Sequence, residues 1–324
     1  MKNHLKKTRG ESLKGEETMN RRIKSLSVFL ALILVFSLVL SSFAFAAAPE
    51  INIPEAHNPA GFAGIDNARD LGGYPAADGK EIKADVLFRS GNLSEATAEY
   101  VAKIQEIGIT KIIDLRTSFE RLRKPNVKID GVEQVPLSML TIPNLLVLQR
   151  EDWMSLLGAI RSGIMETWDA NLYRQYIQDP NAIKATKQFF QEVEENATAE
   201  NGPAPILWHC TAGKDRTGIE AILLMGALGC SDDDIYSEYM NTNAFYAQKA
   251  QDSYDKAYKL THSNLIATEF FKYEIVQENW FDISMEVIRR TGNKTGNATI
   301  EEYLRNVIGL KDDDFKILRE AYLE

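Results

Sequence analysis

The chain has 324 residues, 44% of them hydrophobic and 26% charged, with 46 Asp/Glu against 37 Lys/Arg and a formal net charge of −9. That is enough apolar material for one large domain, or one domain with an insertion, and it excludes a chain disordered throughout. The acidic excess excludes a nucleic-acid-binding surface, because a polyanionic backbone would be repelled.

At the N-terminus Arg21, Arg22 and Lys24 precede the apolar run Val28 to Leu40, and Ser41-Ser42-Phe43-Ala44-Phe45-Ala46 offers a small-x-small cleavage site. Residues 1–46 therefore read as a secretory signal peptide, with an extended start before Met19, and the mature chain is expected to be secreted or extracytoplasmic. The alternative is a retained membrane anchor, but the apolar run is short for a spanning helix. Cleavage near Ala46 removes eight Lys/Arg and three Asp/Glu, which takes the formal charge from −9 to −14. Any anionic substrate must then be captured by local positive potential.

Residues 47–62 carry Pro and Ala without a clear period and read as a lead-in strap, leaving 63–324 as the main domain. Asn67 to Tyr74 is turn-rich, and Asp78-Gly79 predicts a hairpin entering the strand Val86-Leu87-Phe88, after which come Arg89-Ser90-Gly91. Ser94 with Thr97, then Val101, Ile104 and Ile107, mark a helix, and Ile109 to Leu115 a buried strand. Such alternation predicts an α/β fold, a central mixed, mostly parallel sheet flanked by helices. From 137 to 168 the chain is unusually apolar, which suits either a helical pair in the core or a mobile helical lid. Residues 231–290 read as helical, and 298–324 as a closing helical pair around Gly309.

Between the short strand Pro205 to Trp208 and the helix from Thr217 to Leu228 stands His209-Cys210-Thr211-Ala212-Gly213-Lys214-Asp215-Arg216-Thr217-Gly218. A cysteine and an arginine close the two ends of one tight loop, and a dianion bound there meets unpaired N–H groups and the positive end of a helix. Cys-x5-Arg alone is a weak signal, and the Gly-Lys-Asp-Arg-Thr-Gly context supplies the discrimination. It is not a nucleotide-binding phosphate loop, since Asp215 follows Gly213-Lys214 where Ser or Thr is required.

A thiol at a helix N-terminus beside cations forms a thiolate readily, so Cys210 is the candidate nucleophile on phosphorus. The planar fork of Arg216 can hold two phosphate oxygens, which a lysine cannot reproduce. Loop residues Thr211, Ala212, Gly213 and Lys214 would bind the phosphate with Thr217, which could also hydrogen-bond the thiolate. His209 would tune that thiolate. Leaving-group departure needs a proton donor, and Asp215 and Asp114 compete for the role, with Asp215 favoured because it sits in the loop. Asp114 could instead brace Arg116. The histidines show no metal spacing, so neither a metal nor another cofactor is expected. Cys210 and Cys230 flank a helix of about twelve residues, roughly 18 Å long at about 1.5 Å rise, against the about 7 Å a disulfide allows. Cys210 is thus expected to be a free thiol open to oxidation, and Cys230 a packed residue.

The loop resembles the signature of cysteine-dependent protein tyrosine phosphatases, in particular the bacterial tyrosine/dual-specificity group with a Cys-x-x-Gly-Lys-Asp-Arg loop. Asn67 to Tyr74, Phe88 to Leu93, Asp114-Leu115-Arg116 and Glu302-Tyr303-Leu304 look like that group's other landmarks, and the match runs from about residue 63 to the end. The resemblance implies the cysteine-phosphatase fold with a helical insertion, Cys210 as nucleophile, Arg216 as phosphate binder and Asp215 as general acid. It further implies phosphotyrosine proteins as substrates, with phosphoserine/threonine or phosphoinositides as extensions credited to Lys214 and Asp215. A lid at 137–168 and transient contact with a membrane surface follow from the same likeness. Competing readings are a thiol-based arsenate reductase or sulfur transferase, for which Cys230 is poorly placed, and a phospho-ligand binding module without turnover.

Overall fold

Five short strands form one sheet in the order β1-β2-β5-β3-β4, with β1 (Arg69–Asp70) antiparallel to β2 (Leu87–Ser90) and the rest parallel. The others are β3 (Lys111–Asp114), β4 (Glu133–Pro136) and β5 (Ile206–His209). The computed structural model describes residues 48–53, 64–140 and 153–324. The expected signal peptide, most of the strap, and residues 141–152 of the expected lid lie outside these. The mixed, mostly parallel sheet flanked by helices agrees with the reading of the sequence.

Strand β5 lies at the centre, and all four of its residues are buried, as expected for a parallel strand covered on both faces. Alternation sends Leu207, with Phe88 and Ile112, to one face, under α1 (Ala98–Ile107), and Ile206 and Trp208 to the other. There Trp208 meets Phe189 of α5 (Pro180–Ala197) edge to face, with ring centroids 5.6 Å apart. Register sets His209 between Ser90 and Asp114, so the loop after β5 leaves the sheet at the carboxyl ends of its parallel strands, where open α/β sheets place their ligands.

Several boundaries differ from the sequence reading. Arg89 and Ser90 lie inside β2, not after it, and the strand expected over Ile109 to Leu115 pairs only over Lys111–Asp114. Asp78-Gly79 sits in a short 3-10 turn closed by a Pro75–Glu81 bridge. Thr97, not Ser94, caps α1 by accepting from the Tyr100 N–H. The unrecognised α2 (Ser118–Arg123) begins with a capping box of Thr117 and Glu120.

The described parts of 137–168 separate. Leu137, Met139 and Leu140 belong to the main core, while α3 (Trp153–Arg161) packs Leu156, Leu157 and Ile160 into a second apolar cluster. That cluster joins α3 to the hairpin of the 30-residue α7 (Asp232–Thr261) and α8 (Asn264–Glu274), where Trp153 stacks on Phe270 at 4.8 Å. Ala48 and Ile51 pack against the same cluster. Asn52 bonds Tyr236 and Glu278 and accepts from Asn243, which ties residues 48–53 down. The remaining helices are α4 (Met165–Gln178), α6 (Arg216–Leu228), α9 (Glu278–Gly292), α10 (Ile300–Tyr303) and α11 (Asp312–Tyr322). Among the described residues no helix is long and apolar enough to cross a membrane.

Helix α6 is buried almost all round, and its second turn carries Glu220, wholly enclosed. Oε1 accepts from Thr186 at 2.8 Å, whereas Oε2 has no partner. Burial pushes the carboxyl up to about 8. The folded state therefore holds a proton that the unfolded chain releases above about 4.5, so Glu220 costs stability progressively as pH rises toward 8. At about 1.4 kcal/mol per unit the full effect is a few kcal/mol. Denaturant unfolding between pH 6.5 and 8.5 is expected to show falling stability, with a visibly flatter slope in Glu220→Gln. An unchanged slope in that variant would show that Glu220 titrates normally.

Candidate active site

The loop from Cys210 to Arg216 is shaped by what its carbonyls bond. The Cys210 carbonyl accepts from His209 Nδ1 at 2.9 Å, and that of Thr211 from the Asn92 N–H at 3.0 Å and Asn92 Nδ2 at 2.9 Å. The Ala212 carbonyl accepts from the Tyr246 hydroxyl at 2.7 Å, and that of Gly213 from Asn67 Nδ2 at 2.8 Å and Arg89 Nη2 at 2.7 Å. A trans peptide sets each C=O antiparallel to the next N–H. Four carbonyls held by the surrounding scaffold therefore turn the N–H groups of residues 211–214 the other way, toward the loop's interior, which makes an anion-binding nest. Gly213 makes the bend with φ +66°, and a Cβ there would lie 2.3 Å from the Ser90 carbonyl oxygen, so no other residue fits.

A buried ion network fixes the donors behind the loop. Glu238 of α7 accepts from Arg69 Nε at 2.8 Å and Arg89 Nη1 at 2.5 Å, all three side chains being buried. Burial opposes its ionisation, but the two guanidinium charges outweigh this and hold the carboxyl below its usual range. Arg69 also bonds Asn67. Asn67, Arg69 and Arg89 thus hold the loop's shape.

Arg216, first residue of α6, is paired bidentately. Nη1 and Nη2 each lie 2.8 Å from a Glu120 oxygen, while Nε is buried without a partner. Glu120 also accepts from the Thr211 hydroxyl at 2.6 Å. Burial alone would raise the Glu120 carboxyl, but the Arg216 charge carries it far below the ordinary range. Glu120 in turn keeps Arg216 protonated. An orphan buried donor is expensive unless something fills the site, and Nε is the Arg216 donor left over for a ligand.

Above the loop opens a cavity of about 410 Å³, lined by Thr211, Ala212, Lys214, Asp215 and Arg216, and walled by Glu120, Lys124, Leu172, Tyr176, Tyr246 and Tyr273. Cys210 is 1% exposed at the loop's start and both cysteines are free, Cys230 with its thiol pushed up to about 12 by burial. Asp215 accepts from the Tyr173 hydroxyl at 2.6 Å.

Four sequence-based site expectations change. His209 is fully buried beneath the loop and makes no part of the cavity wall. Burial disfavours its charged form. Its Nδ1 must donate to a carbonyl, so Nε2 is left to accept from Asn126 at 2.9 Å. Lys214 lines the cavity, but its ammonium is not free to serve a ligand there. Only 7% exposed, it donates to the carbonyls of Tyr273, Glu274 and Ile275 and so closes the C-terminus of α8. The Thr217 hydroxyl is buried without a partner and makes no bond to the Cys210 sulfur. Asp114 does not reach the cavity wall. It receives Arg116 Nε at 2.9 Å and Arg116 Nη2 at 2.7 Å. Burial opposes its ionised form, but His209 beside it and the Arg116 guanidinium together outweigh that and keep the carboxyl low. Asp114 thus braces Arg116, which bonds the Lys124 carbonyl and Asn126.

Glu120, Asn92 and Tyr246 were missed from the sequence. Thr117-x-x-Glu120 carries a visible capping-box signal, and Asn92 stands in the Phe88 to Leu93 motif. Tyr246 had no local signal at all. Among the described residues no His, Cys, Asp and Glu cluster is placed to hold a metal ion.

A family model described as "Tyrosine phosphatase family" matches residues 60–324. A Cupriavidus necator protein provisionally named a tyrosine-protein phosphatase is 29% identical over 262 residues, 81% of this chain and 87% of that protein. The triple specificity protein phosphatase PtpB of Mycobacterium tuberculosis is 28% identical, covering 56% of this chain and 67% of its own. A tyrosine-protein phosphatase of Nostoc commune is also 28% identical, covering 56% and 57% respectively. The solved structure of P. aeruginosa TpbA in complex with pTyr superposes with a TM-score of only 0.26 at 13% identity, covering 69% of this chain and 96% of that one.

Proposed function

The chain belongs to the tyrosine phosphatase family and is a phosphoric monoester hydrolase, and from this premise we propose that it cleaves phosphotyrosine in proteins through a phosphocysteine intermediate. The observation that carries the mechanism is the loop itself, with four carbonyls held away, a lone buried Arg216 Nε and Cys210 at its start. Cys210 sulfur attacks phosphorus while the N–H nest and Arg216 hold the equatorial oxygens. Asp215 protonates the departing ester oxygen and then takes a proton from the water that hydrolyses the phosphocysteine. Asp114, locked to Arg116 as a carboxylate, is a brace and not a proton donor.

Lys214, committed to the end of α8, does not supply a second phosphate site. The nearby Lys249 pairs with Glu274 at 3.2 Å. Both facts favour phosphotyrosine protein over phosphoinositide as the preferred substrate. On the pattern of residues 21–46 we place the enzyme outside the cytoplasm.

Phosphate release from a phosphotyrosine peptide, a phosphoserine peptide and phosphoinositide vesicles tests the substrate ranking, with the first expected to lead. Faster turnover of the vesicles would reverse it. For the acid, Asp215→Asn is expected to slow phenyl phosphate about a hundredfold and nitrophenyl phosphate much less, because a good leaving group needs no proton. Equal losses on both would remove Asp215 from the role.

A further inference from the structure

Asp215 occupies the N-cap position of α6, where an aspartate normally accepts from the helix's first free N–H groups, yet its side chain makes no capping bond. The carboxylate is drawn away instead. Oδ1 accepts from the Tyr173 hydroxyl at 2.6 Å, and the Tyr173 oxygen accepts from the Tyr239 hydroxyl at 2.9 Å. The two tyrosines come from different helices, α4 and α7, and at 1% and 0% exposure both are buried. The Tyr173 ring is clamped between Trp280, stacked at 5.2 Å, and Tyr176, edge-on at 5.7 Å.

A phenol has one proton to donate. Because Tyr239 donates to the Tyr173 oxygen, the Tyr173 proton is left to point at Asp215. That direction has a chemical consequence. An oxygen already accepting a short hydrogen bond is the poorer site for a proton, so in the acid form of Asp215 the proton rides on Oδ2, and Asp215 is a lining residue of the cavity. We propose that Tyr173 is a positioning residue for the proton-transfer steps, with Tyr239 fixing its polarity, an inference that rests on Asp215 being the general acid.

In the first step the Cys210 sulfur–phosphorus bond forms as the ester P–O bond breaks, and the proton moves from Asp215 Oδ2 to the leaving oxygen. The Asp215 carboxylate that results keeps the Tyr173 hydrogen bond, which is stronger to the charged form. In the second step water attacks phosphorus, its proton returns to Oδ2, and the electron pair of the S–P bond returns to sulfur. Burial, and then the facing Asp215 charge, raise the Tyr173 hydroxyl well above its ordinary range, so it stays protonated and remains a donor throughout. Burial does the same for Tyr239. The charged and titratable groups facing the pair are Asp215, Asp169 and Arg89.

The test is a series of aryl phosphates of decreasing leaving-group quality, run on the full chain and on Tyr173→Phe, Tyr239→Phe, Asp215→Asn and the Tyr173→Phe/Asp215→Asn double variant. Phenylalanine keeps the ring contacts and removes only the hydroxyl. Tyr173→Phe is expected to lose about tenfold in kcat on the poorest leaving group and little on the best, with KM within about twofold. Loss of the donor is also expected to displace the alkaline limb of kcat against pH, which reports the proton-transfer step. Tyr239→Phe is expected to show the same signature more weakly, which keeps the test open if Tyr173→Phe folds poorly. The double variant should be no slower than Asp215→Asn alone. Equal losses on every leaving group with an unmoved limb, while Asp215→Asn retains its leaving-group dependence, would overturn this inference and spare the acid assignment. Loss of that dependence in Asp215→Asn itself would overturn both.

Discussion

Cys210→Ser is expected to lose more than roughly a thousandfold in phosphate release from a phosphotyrosine peptide while still binding it. The serine hydroxyl is about the size of the thiol and suits the buried position, 1% exposed at the start of the loop, so the N–H nest and Arg216 remain in place to hold the phosphate. What disappears is the nucleophile, because an alcohol has no accessible anion near neutral pH. Calorimetric or fluorescence titration with the peptide measures the retained binding, and a phosphate assay the lost turnover. Cys230→Ser is the matched control. Its thiol, pushed up to about 12 by burial and remote in sequence from the loop, has no part in the chemistry, and turnover should stay near that of the parent. Activity of Cys210→Ser within tenfold of the parent would exclude the phosphocysteine route.

Arg216→Lys is expected to cost about two to three orders of magnitude in kcat despite keeping the charge. The guanidinium does two jobs at once, holding Glu120 through both Nη atoms at 2.8 Å and leaving Nε for the phosphate. An ammonium has no rigid fork, and beside Glu120 it would settle on the carboxylate and abandon the oxyanion. Glu120→Gln should fall between the two, about tenfold below the parent. The amide leaves one Nη of Arg216 without an acceptor and the other facing a neutral oxygen, which loosens the fork without removing it. Its Thr211 bond also weakens, because the hydroxyl now meets a neutral acceptor. Steady-state kinetics on one aryl phosphate ranks the three enzymes, and an Arg216→Lys enzyme within threefold of the parent would show that charge alone suffices.

The loop was legible because its chemistry is local. Cys210, Gly213, Asp215 and Arg216 stand within seven consecutive residues, and the strand-loop-helix setting follows from an apolar run on one side and a helical run on the other. The same holds for the α/β class, since parallel strands buried on both faces read as unbroken apolar runs. Roles that depend on a distant partner were not legible. Lys214 looks like a substrate cation in sequence, but α8 ends 60 residues later with three carbonyls in need of a donor, and Lys214 reaches them. Asp114 looks like a second acid until Arg116 closes over it.

The sequence by itself determined which atoms can do the chemistry: a thiol, a guanidinium and a carboxylate on one turn at the mouth of a helix. Only the tertiary structure decided how they are held. Glu120 from α2, Tyr246 and Glu238 from α7, Asn67 just before the edge strand β1, Arg89 from β2, and Tyr173 from α4 converge on seven loop residues. The physical reason is that a loop of outward-held carbonyls cannot satisfy itself. Each buried carbonyl and each buried charge needs a partner, and apart from the Cys210 carbonyl, held by the ring of neighbouring His209, the loop's carbonyls find theirs only on distant elements.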